Sequence, residues 1–263
     1  MTITDVEGFL ASGVASGIKN NKELDLALVT TEDQQPVPAA AVFTSNKMTA
    51  APVLVSRKHL EVTGGTASTV VLNSGNANAA TGEQGLLDAE RMCQLTAQGL
   101  GCESSEVLVC STGWIGYPLP MEEVTYGIKS AIDSLKDDQG TTAAKAIMTT
   151  DTVPKNTLVK AKGFSVGGIS KGAAMLQPNM ATMLSVLTTD AVINPQEATR
   201  LLQKAVSVSF NCLTVDGAES TNDTVILLAN GKSGVEDPTL LGEALIEACK
   251  DLAVQMADDA EGS

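Results

Sequence analysis

Two rhythms of apolar and polar residues run along this chain. Short runs rich in Val, Leu, Ile and Thr predict strands at Ala39–Thr44, Pro52–Ser56, Thr69–Asn73, Glu106–Cys110, Thr182–Thr189 and Thr224–Ala229. Apolar positions recurring every three to four residues predict amphipathic helices at Leu86–Gln98, Met121–Leu135, Pro195–Val208 and Thr239–Ala257. Asn194 followed by Pro195 is a cap-then-proline helix start. The polar stretch Lys136–Thr142 is the one candidate linker, and nothing in it compels a domain boundary.

Composition narrows the architecture. With 43% apolar but only 3% aromatic residues, the core must be built from Ala, Val, Leu and Ile, which suits helices packed on sheets in an α/β or α+β class. A chain of 263 residues can bury such a core unaided as one large domain or two small ones.

Charge and the rarer residues exclude several chemistries. A net charge of −14 disfavours nucleic acid as a partner. No apolar run is long enough to span a membrane, and MTITDVEGFL carries two acids and no basic leader, so a cytoplasmic protein is expected. The single histidine, His59, cannot build a metal site of several imidazoles, and its neighbours Arg57 and Lys58 suggest a solvated face. Cys93, Cys102, Cys110, Cys212 and Cys249 form no CxxC pair, so no metal is expected and these thiols read as small hydrophobes.

Three segments could carry chemistry. NSGNANAATGEQG, Asn73 to Gly85, follows a strand and precedes a helix, so it can line a polar pocket or serve only as a turn; it is neither a GxGxxG nor a P-loop pattern. STGWIG, Ser111 to Gly116, can aim backbone N–H groups and a hydroxyl one way, as an oxyanion hole requires, or can be a strand-ending turn in which Thr112 bonds its own backbone. In KGAAMLQPNMATML, Pro178 and Asn179 force a turn before Thr182 opens a strand, while Lys171 on local evidence is a solvated charge.

The string KGAAMLQPNMATMLSVLTTDA resembles the self-cleavage segment of the glutamate/ornithine N-acetyltransferase family of arginine biosynthesis. Further matches are GVASGIK (Gly13 to Lys19), AVFTSNKMTAAPV (Ala41 to Val53), NSGNANAATGEQG, STGWIG, AIMTTDTVPK (Ala146 to Lys155) and DGAESTNDT (Asp216 to Thr224). In order and spacing they cover essentially the whole sequence.

The resemblance implies an α/β fold, a layered sandwich of mixed β-sheets flanked by helices of the self-cleaving N-terminal-nucleophile kind. It implies a cut between Ala181 and Thr182, giving chains 1–181 and 182–263, the second being only the N-terminal part of its family counterpart. Thr182 falls on the nucleophile, Thr112 and Gly113 on the oxyanion hole, and Thr149, Lys171, Thr182 and Glu261 on substrate contacts. The implied reaction moves acetyl from N2-acetylornithine to glutamate through an acetyl-threonine enzyme, without a cofactor. Whether acetyl-CoA also donates acetyl stays open. Two chains of each kind would form a heterotetramer.

Elementary chemistry agrees with that assignment. An alkyl hydroxyl needs a base. A cut before Thr182 would free an α-amine of pKa about 7.7–8.0, able to take the hydroxyl proton of its own residue.

This sequence departs from the family at Trp114, where an aliphatic residue is usual, at Ala174 in the KGxGM pattern, and at Ala260 in the DGEG pattern. Family chains also run on for roughly another third beyond the position of Ser263, so the expectation is either a fragment or a chain whose final third lies outside this sequence. Two alternatives follow: a related N-terminal-nucleophile amidase or aminopeptidase with water as acceptor, and an inactive truncated chain.

Overall fold

The segments Leu26–Thr31, Leu184–Thr189 and Thr224–Ala229 are buried along their whole length, so their sheets must be covered on both faces. A computed structural model, which describes residues 1–173, 183–214 and 220–260, shows how this is done. The strands are β1 (Phe9–Val14), β2 (Leu26–Thr31), β3 (Val37–Phe43), β4 (Thr66–Ala67), β5 (Thr69–Asn76), β6 (Val107–Trp114), β7 (Lys155–Lys160), β8 (Ser165–Lys171), β9 (Leu184–Thr189) and β10 (Thr224–Ala229). The helices are α1 (Ala51–Val62), α2 (Gly82–Leu100), α3 (Met121–Asp133), α4 (Gly140–Ala146), α5 (Pro195–Ser207) and α6 (Pro238–Asp258).

One sheet runs β1-β2-β5-β6 and the other β4-β3-β10-β9-β8-β7. Strand alternation then fixes the layers. Val70, Leu72, Leu108 and Cys110 of the first sheet share a core with Ile169, Leu184, Val186, Ile226 and Leu228 of the second. Their strand neighbours Val71, Val107 and Val109 instead pack under α1, α2 and α3. On the far side, Val166, Leu187, Val225 and Leu227 pack under α5 and α6. The result is a four-layer helix–sheet–sheet–helix sandwich, as the resemblance implied.

The expected helices appear as α2, α3, α5 and α6, and Asn194 Oδ1 accepts from Glu197 N–H at 2.9 Å to cap α5. Pro52–Ser56, expected as a strand, lies in α1. A short apolar run does not distinguish strand from helix, and Pro52 in the first helical turn costs no hydrogen bond there. Residues 136–142 are no linker: Lys136 exchanges two backbone hydrogen bonds with Ala11 on β1, at 2.9 and 3.0 Å.

His59 is buried, not solvated. Nδ1 lies 2.8 Å from the Val107 carbonyl and Nε2 lies 3.2 Å from Glu90 Oε2, so the ring joins α1 to β6 and α2. Of the thiols, Cys93, Cys110 and Cys249 behave as buried hydrophobes; burial pushes Cys110 and Cys249 each up to about 12. Cys102 is half-buried and Cys212 exposed. Among the described residues no helix is long and apolar enough to cross a membrane.

Candidate active site

Parallel pairing of β5 with β6 sets Ser74 beside Thr112 and Gly75 beside Gly113, and the ladder breaks in a bulge at Gly75 and Asn76. Gly113 has φ +132°, and a Cβ there would sit 2.3 Å from the Gly75 carbonyl carbon and 2.5 Å from Asn76 N. Only glycine fits. Thr112 is buried while Gly113 is exposed, so the turn passes from the inter-sheet core to the surface within one residue. Beside it a cleft of about 370 Å³ is bordered by Gly75, Asn76, Trp114 and Tyr117, and Trp114 is 74% exposed.

From the other sheet, antiparallel pairing puts Lys171 opposite Leu184, and Leu184 stands beside Thr224 on β10. Lys171 is not the solvated charge that its local sequence suggested: it is 2% exposed. Its ammonium donates to the Thr112 hydroxyl at 3.4 Å, the long end of hydrogen bonding. Burial lowers the Lys171 pKa, and the carboxylates of Asp151 and Asp223 oppose that shift. Accepting from Lys171 uses a lone pair of the Thr112 hydroxyl and leaves its O–H as a donor.

Thr149 is half-buried in the loop after α4, and its N–H donates to Asp151 at 3.0 Å. Asp151 also accepts from Gly172 N–H at 2.7 Å, which brings Thr149 and Lys171 to one carboxylate. Burial alone would raise the Asp151 pKa, but Lys171 and Lys155 together bring it below the ordinary carboxylate value. Ala181, Thr182, Ala174 and Glu261 lie outside the described residues. Met183, next after Thr182, is buried and its N–H donates to Asp223 at 2.9 Å.

The other matched segments meet at the same place. Asp25 accepts from Ser16, Gly17 and Lys19 N–H groups, and the turn it shapes sends the Lys19 ammonium to the Met148 carbonyl at 2.7 Å. Asn222 donates to the carbonyls of Ala77 at 2.6 Å and Ser111 at 3.0 Å, tying the β10 entry to the β5 and β6 turns. Thr44 donates to the Ser220 carbonyl at 2.8 Å. Segments from Gly13 to Thr224 thus gather at one end of the two sheets.

The family model that matches is the ArgJ family, over residues 10–263. The chain belongs to the ArgJ family. It is 46% identical over its whole length to the arginine biosynthesis bifunctional protein ArgJ of Thermobifida fusca and 47% identical to that of Streptomyces avermitilis, spanning 68% of each relative. Among solved structures, the ornithine acetyltransferase of Mycobacterium tuberculosis complexed with ornithine matches at 41% identity and a TM-score of 0.64, over 67% of this chain and 94% of that one. The L-aminopeptidase D-Ala-esterase/amidase of Ochrobactrum anthropi shares the fold at 16% identity and a TM-score of 0.61, over 100% of this chain and 88% of that one.

Asp151, Lys155, Asp259, Asn222 and Asp223 went unnoticed as site residues in the sequence. Asp151 and Lys155 stand inside TTDTVPK, and Asn222 and Asp223 inside DGAESTNDT, but a charged residue in a polar segment gives no sign of burial. Among the described residues no cluster of His, Cys, Asp and Glu could hold a metal.

Proposed function

We propose that this ArgJ-family chain moves the acetyl group of N2-acetylornithine to glutamate in arginine biosynthesis, with Thr182 as the acetyl-carrying nucleophile. The observation that carries the reading is the contact between Lys171 of one sheet and Thr112 of the other, beside a Gly113 turn where only glycine fits.

The chain first cuts itself. Thr182 Oγ attacks the Ala181 carbonyl carbon, the peptide C–N bond breaks as the acyl group shifts to oxygen, and water hydrolyses the ester. Residues 1–181 and 182–263 are then separate chains, and the α-amine of Thr182 is free to act as base.

In the transfer cycle, Thr182 Oγ attacks the acetyl carbonyl of N-acetylornithine. The developing oxyanion takes hydrogen bonds from the Thr112 hydroxyl and the Gly113 N–H, while Lys171 holds and polarises Thr112. Ornithine leaves with its amine reprotonated, and the glutamate amine attacks the acetyl ester to regenerate Thr182. Thr149 and Lys171 contact substrate, and Glu261 pairs with the ornithine ammonium.

These steps call for no cofactor beyond the two substrates, and acetyl-CoA is a candidate second donor. A cytoplasmic location and a heterotetramer of two chains of each kind complete the reading.

On a denaturing gel the wild type should run as pieces of roughly 18 and 9 kDa, and Thr182→Ala as one uncut, inactive chain. A wild type that stays at 27.1 kDa refutes the mechanism. Ornithine release that proceeds equally with and without glutamate would instead mark an amidase.

A further inference from the structure

Asp151 joins two parts of the candidate site, and a buried lysine extends that junction to a third. One Asp151 oxygen accepts from the Lys155 ammonium at 2.8 Å and from Gly172 N–H at 2.7 Å, and the other accepts from Thr149 N–H at 3.0 Å. The Lys155 side chain is 0% exposed, and its ammonium also reaches Asp259, just past the end of α6, at 2.5 Å. Asp259 accepts in addition from Thr152 N–H at 2.9 Å and from the Thr152 hydroxyl. The loop after α4, the end of β8 and the end of α6 are therefore linked through one ammonium.

A buried ion pair is a poor way to gain stability, because desolvating the charges offsets most of their attraction, and apolar side chains of similar volume often do as well. Its distinctive property is directional. A lysine with three donors between two carboxylates, each also fixed by backbone N–H groups, has few alternative arrangements.

We propose that Lys155, with Asp151 and Asp259, is a positioning device that holds Thr149, Lys171 and the end of α6 at a fixed separation for one substrate. The identity of Thr149 and Lys171 as substrate contacts rests on the acetyltransferase reading. The mechanical coupling of the three elements does not.

Asp259→Asn removes the charge with little change of volume. In the protein expressed from its own gene, hydrogen exchange should quicken at Thr152, which bonds Asp259 directly, and also at Thr149 and Gly172, which bond Asp151 across Lys155. Quickening confined to Thr152 overturns the coupling. In turnover, the KM for N-acetylornithine should rise about tenfold with kcat held within about threefold, the pattern of lost ground-state binding, while the cut before Thr182 proceeds as in wild type. An unchanged KM overturns the positioning role. Should Asp259→Asn fail to fold, Thr152→Val, which removes one hydroxyl at an exposed site, is judged by the same two readouts. A wild type that neither cuts nor transfers acetyl refutes the acetyltransferase reading instead, and hydrogen exchange then decides the coupling alone.

Discussion

Lys171 and Thr112 lie 59 residues apart in sequence and on different sheets, yet the lysine ammonium sits 3.4 Å from the threonine hydroxyl inside the molecule. A charge held there is costly, since burial disfavours the ammonium and lowers its pKa despite nearby Asp151 and Asp223. Selection for stability alone would place an apolar side chain at this position.

Lys171→Met should therefore fold and lose activity. In the proposed mechanism this removes the group that holds an oxyanion donor, which should slow acetyl transfer on the order of 10²-fold. The pH dependence has a definite sign. Between the lowered folded pKa and the ordinary 10.5, the unfolded chain binds more protons, so stability contributed by this group rises as pH rises through that window. Urea unfolding at a series of alkaline pH values should show that rise in the wild type and a flatter profile in the Met variant.

Gly113→Ala tests the bulge. The added methyl meets Gly75 and Asn76 backbone, which cannot move without breaking the β5–β6 register. Self-cleavage and transfer should both fall by about 10² or more, because in the proposed mechanism both use an oxyanion donor at this turn. Normal cleavage by a folded Gly113→Ala chain, followed on a gel over time, would remove Gly113 from the mechanism.

The carboxylates around Lys155 predict the acid limb of stability. Burial alone would raise the Asp259 pKa, but hydrogen bonds from Lys155 and Thr152 bring it down to about 2, and Asp151 is also lowered. Groups with depressed folded values stabilise the protein above the unfolded pKa of 3.8 and lose that contribution as pH falls through the folded value. Thermal melts from neutral pH down to pH 2 should show a shallower loss in Asp259→Asn than in the wild type. Equal slopes would mean that Asp259 titrates normally.

His59 offers a control on the base. It is hydrogen-bonded between Val107 and Glu90 and belongs to the α1–β6 contact. His59→Gln should lower stability by about 1–3 kcal/mol, the usual cost of disturbing a buried hydrogen-bonded group, and leave kcat within twofold. The kcat/KM profile against pH should still turn near the α-amine range of about 7.7–8.0 in that variant. A profile that shifts with His59 would return the histidine to the mechanism.

Much of this was legible from residue order. Apolar periodicity finds four of the six helices among the described residues because their buried faces repeat over three or more turns, and the strands at Thr69, Glu106 and Thr224 because they are rich in branched residues. The matched segments singled out Thr112, Gly113, Thr149 and Lys171, whose roles stand as proposals. Strands β1, β2, β4, β7 and β8 are not among the expected ones: β7 and β8 are rich in Gly, Ser, Lys and Asn and owe their strand character to cross-strand pairing, whereas β2, LALVTT, is as apolar as the expected strands. Pro52–Ser56 was misread for the related reason that a few apolar residues fit either period.

By itself, then, the sequence determined which residue types were available for chemistry: one histidine, five cysteines with no CxxC pair, a threonine that follows Pro178 and Asn179 in the chain, and a Gly-bearing segment after an apolar run. Tertiary structure alone decided which charges would be buried. Lys171 reads as a solvated charge and Lys155 shows no sign of a role, because local sequence records no solvent exposure, and only the stacking of two sheets beside α6 removes their water and leaves carboxylates and a hydroxyl as partners.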